Sequence, residues 1–249
     1  ASSFCLKDWG AEDIWEGNPE GTRRITKHVI NHPGDWRKLQ ILDPRRSFYL
    51  SEQISCLSKI RKNITPDIPI IQTIFSPLAQ AKNLVGKDNL LEHIQKFPDA
   101  VNVGLKVISE TSRMFIEHVF TTGIDGIFYA IQHAQKSELS NEEYAIFGKD
   151  YDIHTLETAQ PFWCNILHLH GKSIYFELVK TFSHVFQIIN WHDRETYPSL
   201  SEAQQLFAGV TCGGMRQDTL VYGDQAAVQK EAADAIQQTK GKRFMLGTG

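Results

Sequence analysis

Short apolar runs alternate along this chain with longer stretches in which apolar positions recur every three or four residues, the pattern of βα units built around a parallel sheet. The first clear strand covers residues 68–75 and leads into helical sequence over 77–97. A long amphipathic helix is expected over about 99–121, where Leu105, Ile108, Phe115 and Val119 share one face and Gly123 stops the pattern. A second strand, 124–131, gives way to a polar stretch in which Ser140 and Glu143 form a capping box that opens another helix. The third strand, 163–169, precedes Gly171 and a helix around 174–182. Three more strands follow near 185–191, 210–212 and 243–246, with helices starting near Ser201 and Asp224.

The first 67 residues read differently: a loop-rich start, an extended stretch at 24–31 and a helix over about 47–62. No repeat, low-complexity tract or linker marks a boundary, so residues 1–249 are expected to form a single domain. Six βα units without a G-x-G-x-x-G turn speak against a Rossmann fold and for a (β/α) barrel.

Composition narrows the function more than the fold. The chain has 249 residues, 41% of them hydrophobic, and 26 basic against 29 acidic side chains, a net charge of −3. That balance excludes a mainly disordered chain and carries no basic stripe for nucleic acid or a membrane surface, which leaves a small molecule as the expected partner. No run approaches the roughly 20 apolar residues of a membrane helix, and no signal pattern opens the chain, so a cytoplasmic enzyme is expected. Cys5, Cys56, Cys164 and Cys212 are scattered without a C-x-x-C pair, as in a reducing compartment. The chain opens without Met in an apolar phrase and stops at Gly249 where a strand should enter a loop; parts of the natural protein are expected beyond both ends.

In a barrel the active site gathers at the C-terminal ends of the strands. There the phrase Leu167-His168-Leu169-His170-Gly171 puts both imidazoles on one face and both leucines on the other. With the leucines under the helices, His168 and His170 aim into the mouth, where they could bind a metal, orient a carboxylate or transfer protons. The structural alternative has them bonding to neighbouring loops.

The second constellation is Asn190-Trp191-His192-Asp193-Arg194-Glu195, in which an aromatic ring could stack on a planar substrate while charges anchor it. Trp191 and His192 face opposite ways while the strand lasts, so only one can line the mouth there. His192 and Asp193 are the acid–base candidates; Trp191 and Arg194 are candidates for substrate binding. In the alternative, Trp191 is packed and the charges form a solvated turn.

Weaker candidates are Phe75 at the end of the first strand and Tyr129, Gln132 and His133 at the end of the second. Alternation sets Gln132 opposite Tyr129 and His133. Gly213 and Gly214 after Cys212 would let a ligand approach the backbone or allow positive φ.

The order Phe75-Ser76-Pro77, Gly123-Ile-Asp-Gly-Ile-Phe-Tyr129, His168-Leu-His-Gly171, Ile189-Asn-Trp191, Gly213-Gly214 and Phe244-Met-Leu-Gly-Thr-Gly249 resembles the uroporphyrinogen decarboxylase family. That family includes haem-pathway decarboxylases and zinc-dependent methyltransferases that act with corrinoids. The resemblance covers residues 68–249 and implies a (β/α)8 barrel in which the six strands are the third to eighth. The first two strands and the closing helix would then lie outside this chain, leaving open sheet edges at 68–75 and 243–246 for a partner segment to cover.

On the decarboxylase branch the resemblance implies removal of CO2 from acetate side chains of a cyclic tetrapyrrole, with no cofactor, and this is the first expectation. The family's substrate-contacting tyrosine and serine align near Asn83 and Gln132, and its carboxylate would fall before Ala1. On the methyltransferase branch, His168 and His170 stand at the His-x-Cys positions and would hold zinc with a cysteine just past Gly249, acting with a corrinoid partner and a thiol. A tetrapyrrole-binding barrel without chemistry is a third possibility, and a homodimer is one assembly left open.

Overall fold

The computed structural model describes residues 3–17 and 23–249. Of the opening apolar phrase, Ala1 and Ser2 lie outside the described residues.

A short helix α1 (Phe4–Lys7) precedes a two-stranded antiparallel sheet of β1 (Glu12–Ile14) and β2 (Arg24–Lys27), of which the sequence pattern marks only the second strand. Helix α2 (Phe48–Asn63) then leads to six strands in sequence order: β3 (Ile71–Phe75), β4 (Gly126–Ile131), β5 (Ile166–Leu169), β6 (Ile188–Trp191), β7 (Val210–Met215) and β8 (Phe244–Thr248). All five pairings are parallel and each strand neighbours the next. This is the run of βα units of a TIM-barrel-type sheet. Among the described residues the sheet is open, with β3 and β8 paired on one side only.

The connections carry α3 (Pro77–Val85), α4 (Lys87–Lys96), α5 (Pro98–Phe120), α6 (Asn141–Tyr144), α7 (Asp150–Leu156), α8 (Leu178–Phe182), α9 (Leu200–Leu206), α10 (Gln217–Tyr222) and α11 (Gln225–Thr239). Local chemistry explains their starts. Ser76 caps α3 before Pro77, a residue whose fixed φ suits the first helical turn. Capping boxes open α6 at Ser140 and α9 at Ser199. Helix α10 was not visible in the apolar pattern because none of its residues is buried. Among the described residues no helix is long and apolar enough to cross a membrane.

Strand faces alternate as the pattern requires. Leu167, Leu169, Ile189 and Trp191 are buried in one contiguous core beneath the helices, which includes Leu105, Ile108, Phe115 and Val119 of α5. Strand β5 starts three residues later than the apolar run suggests. The cause is Asn165, whose buried side chain accepts from Ile127 N–H at 3.0 Å and donates to the carbonyls of Ala159 and Val185. Its amide serves as a plug at the base of three strands, satisfying backbone groups that the ladder leaves unpaired. Conversely, β7 runs past Cys212 to Met215 because β8 pairs with it as far as Thr248.

Candidate metal centre

Parallel pairing puts His168 beside Asn190, and Asn190 beside Cys212, on consecutive strands. His168 lies within β5, His170 follows its last residue and His192 follows the last residue of β6, so three imidazoles meet at the C-terminal edge of the sheet. One nitrogen from each lies within 4.8 Å of the others. His168 Nε2 is 3.5 Å, and His192 Nε2 3.2 Å, from His170 Nδ1. The rings cross at steep or tilted angles with centroids 5.0 to 5.8 Å apart, so the nitrogens converge while the ring bodies stay clear of one another.

His168 sits deepest of the three. Phe128 on β4 stacks on its ring at 5.2 Å, and Asn190 Oδ1 lies 2.6 Å from its Nδ1. Burial, reinforced by His170, pushes the His168 imidazole down to about 3, which keeps it neutral and leaves it a lone pair. Burial also lowers His192.

The remaining sequence candidates do not join this cluster. Trp191 is fully buried on the opposite face, its ring against Phe176 and its indole N–H donating to the Pro198 carbonyl at 2.9 Å. It is a core residue, because its large apolar ring gains more from burial than from lining a wet mouth. Tyr129 is likewise fully buried on the helix side and donates to Asp152 at 2.6 Å, as does Tyr144. Trp191 and Tyr129 thus both lie away from the mouth, where the sequence pattern has them contacting substrate.

Asp193 and Arg194 form a latch. The Asp193 carboxylate, 2% exposed, accepts from Gly214 N–H at 2.7 Å; Arg194 donates to the carbonyls of Gly214 and Glu231 and pairs with Asp234 on α11. The partners of both groups lie in this loop, on β7 and on α11, not in the imidazole cluster. Their charges are spent on holding the loop. Gly213 and Gly214 serve the same packing: a Cβ at Gly213 would run into the Asp193 carboxylate, and Gly214 takes φ +96° with its missing Cβ aimed at Ala235.

His133 is buried at the end of β4 with an unpartnered Nδ1, and burial pushes it down to about 3. Gln132 contributes its carbonyl to Gln135, and Phe75 lines a small apolar cavity with Phe4, Leu50 and Phe115. Cys212 is half-buried and its thiol is pushed up by burial, the opposite of an activated nucleophile. The sequence reading singled out neither Asn190 as a site residue nor His192 as a metal-binding one. The signal was there in the strand parity, which places both on the face of His168 once Trp191 is turned inward.

A TIM-barrel-type sheet with an imidazole cluster at its strand ends defines a βα-barrel protein with a candidate metal centre. The chain belongs to the uroporphyrinogen decarboxylase (URO-D) family, whose model matches residues 13–249. Among solved structures it is similar to a methyltransferase from Methanosarcina mazei, at 18% identity and a TM-score of 0.79, covering 100% of this chain and 72% of that one. At that identity the likeness concerns the fold. No match was found among curated proteins.

The donor set suits zinc, the metal of the family's methyltransferase branch. Two nitrogens bound at ~2.0–2.1 Å to one tetrahedral zinc stand roughly 3.3 Å apart, close to the 3.5 and 3.2 Å that His170 Nδ1 makes with the other two rings, while all three nitrogens lie within 4.8 Å. Were zinc held by these three side chains, a fourth coordination position would stay open.

Proposed function

We propose that this chain is a zinc-dependent methyltransferase of the URO-D family, moving a methyl group between a corrinoid and a thiol, with His168, His170 and His192 as the metal ligands. The observation that carries the proposal is the convergence of three imidazole nitrogens within 4.8 Å at the strand ends. Zinc in such a site supplies a Lewis acid that holds a thiol as thiolate.

The chain's own residues do the rest. Phe128 fixes the plane of His168 by stacking, and the Asp193–Arg194 latch holds the loop that presents His192. At the rim, Glu195 pairs with Lys172 at 3.0 Å and stands 3.9 Å from Arg216, which also pairs with Asp218. Among the described residues Arg194 and Arg216 are both engaged by acidic side chains, so neither is free to pair with the many carboxylates of a porphyrinogen. For that reason the decarboxylase reading stands second.

Metal analysis of the purified protein tests the proposal. One zinc per chain, lost in His168→Ala, supports it; a metal-free protein that releases CO2 from uroporphyrinogen overturns it in favour of the decarboxylase.

A further inference from the structure

The side-chain amide of Asn190 has both of its ends specified. Its Nδ2 donates to the carbonyl of Cys212 at 3.0 Å and to that of Thr248 at 2.8 Å. Carbonyls only accept, so these two bonds require the –NH2 end of the amide to face them and fix the oxygen toward His168. That oxygen also only accepts, and it lies 2.6 Å from His168 Nδ1. The imidazole must therefore carry its proton on Nδ1. A neutral imidazole has one N–H and one lone pair, so the lone pair is on Nε2, the nitrogen that faces His170.

We infer that Asn190 is a positioning residue that selects the Nδ1–H tautomer of His168 and so presents Nε2 to the metal, acting through backbone carbonyls of the two following strands. The chain of constraint runs from the backbone of β7 and β8, through one amide, to the choice of ligand atom on β5. Without the two carbonyls the amide could flip, and its –NH2 end would then favour a lone pair on Nδ1 and a proton on Nε2, where the metal should bind. Stacking on Phe128 holds the ring plane but does not distinguish the two nitrogens; only the hydrogen bond does.

The inference deepens the proposed zinc site and rests on it for its purpose, but its main readout is independent of metal. The protonated nitrogen of His168 is read by nitrogen-15 NMR of metal-free, histidine-labelled protein at mildly alkaline pH, with His168→Gln used to assign the signal. The expected result is Nδ1–H in the unaltered chain, and Nε2–H or a mixture in Asn190→Leu, whose zinc affinity should fall by about 10–100-fold, the usual effect of removing such an outer partner.

Asn190→Asp keeps an oxygen for His168 while losing both donors, so it should lower the melting temperature yet keep the Nδ1–H form. An Nε2–H His168 in the unaltered chain overturns the inference, a result that does not depend on any variant folding. So does a folded Asn190→Leu whose tautomer and zinc affinity are unchanged and whose melting temperature alone drops, the mark of a purely structural residue. If the unaltered chain binds no zinc, the proposed function fails, whereas the tautomer measurement still decides the role of Asn190.

Discussion

His192 Nε2 lies 3.2 Å from His170 Nδ1, although 22 residues and an entire βα unit separate the two in the chain. The contact exists because β5 and β6 are neighbours in register, so residues just beyond their ends are delivered to the same point. If that point is a metal site built from nitrogen donors alone, Ala at either position should weaken zinc binding by at least an order of magnitude. Cobalt(II) substitution should give a spectrum without a thiolate-to-metal charge-transfer band. Such a band would mean that a cysteine is a ligand and that one of the three imidazoles is not.

Trp191 provides the opposite expectation. A fully buried indole with its N–H satisfied contributes to stability through packing, and Trp191→Ala should cost about 3–5 kcal/mol in chemical denaturation. The milder Trp191→Phe should destabilise the fold while leaving zinc stoichiometry intact. Loss of metal in a folded Trp191→Phe protein would place that ring in the site after all.

Gly213 ties packing to the candidate centre. An added methyl there meets the carboxylate that anchors Gly214, so Gly213→Ala should dislodge Asp193 and lower stability by roughly 1–3 kcal/mol. Because His192 is the adjacent residue, zinc affinity should drop in the same variant. Thermal melts with and without zinc measure both effects on one sample.

Asp152 gives a pH signature remote from the imidazoles. Burial raises its carboxyl from 3.8 to about 7, against the lowering effect of hydrogen bonds from Tyr129 and Tyr144. The folded state therefore holds a proton more tightly than the unfolded chain between those values. The associated stability is fully present below about pH 4 and is lost as pH rises through 7, on the order of a few kcal/mol. Denaturation of the unaltered chain and of Asp152→Asn across pH 4–8 should differ in slope in that sense; identical slopes would show that Asp152 titrates normally.

The sheet was largely legible because each strand is an apolar run on a two-residue period and each long helix has a continuous apolar face. His168 and His170 were legible for the same reason, since the leucines between them fix which face is dry. His192 was half-legible: alternation said that either it or Trp191 would face the mouth, and the indole was decided inward by its burial and its bond to Pro198. What the sequence could not reveal was the work of single polar side chains on backbone groups far along the chain. Asn165, Asn190 and Arg194 all bond to carbonyls 6 to 58 residues away, and no local pattern encodes such partners.

The Arg194 latch joins the outside of the molecule to its centre. Because the loop presenting His192 is fastened to the Glu231 carbonyl and the Asp234 side chain, helix α11 and the third imidazole share one mechanical coordinate. A shift of that helix would move the loop that presents His192 without altering any residue of the imidazole cluster. Selection acting on α11 could thus adjust the grip on a bound ion remotely, much as a tuning peg sets a string it does not play.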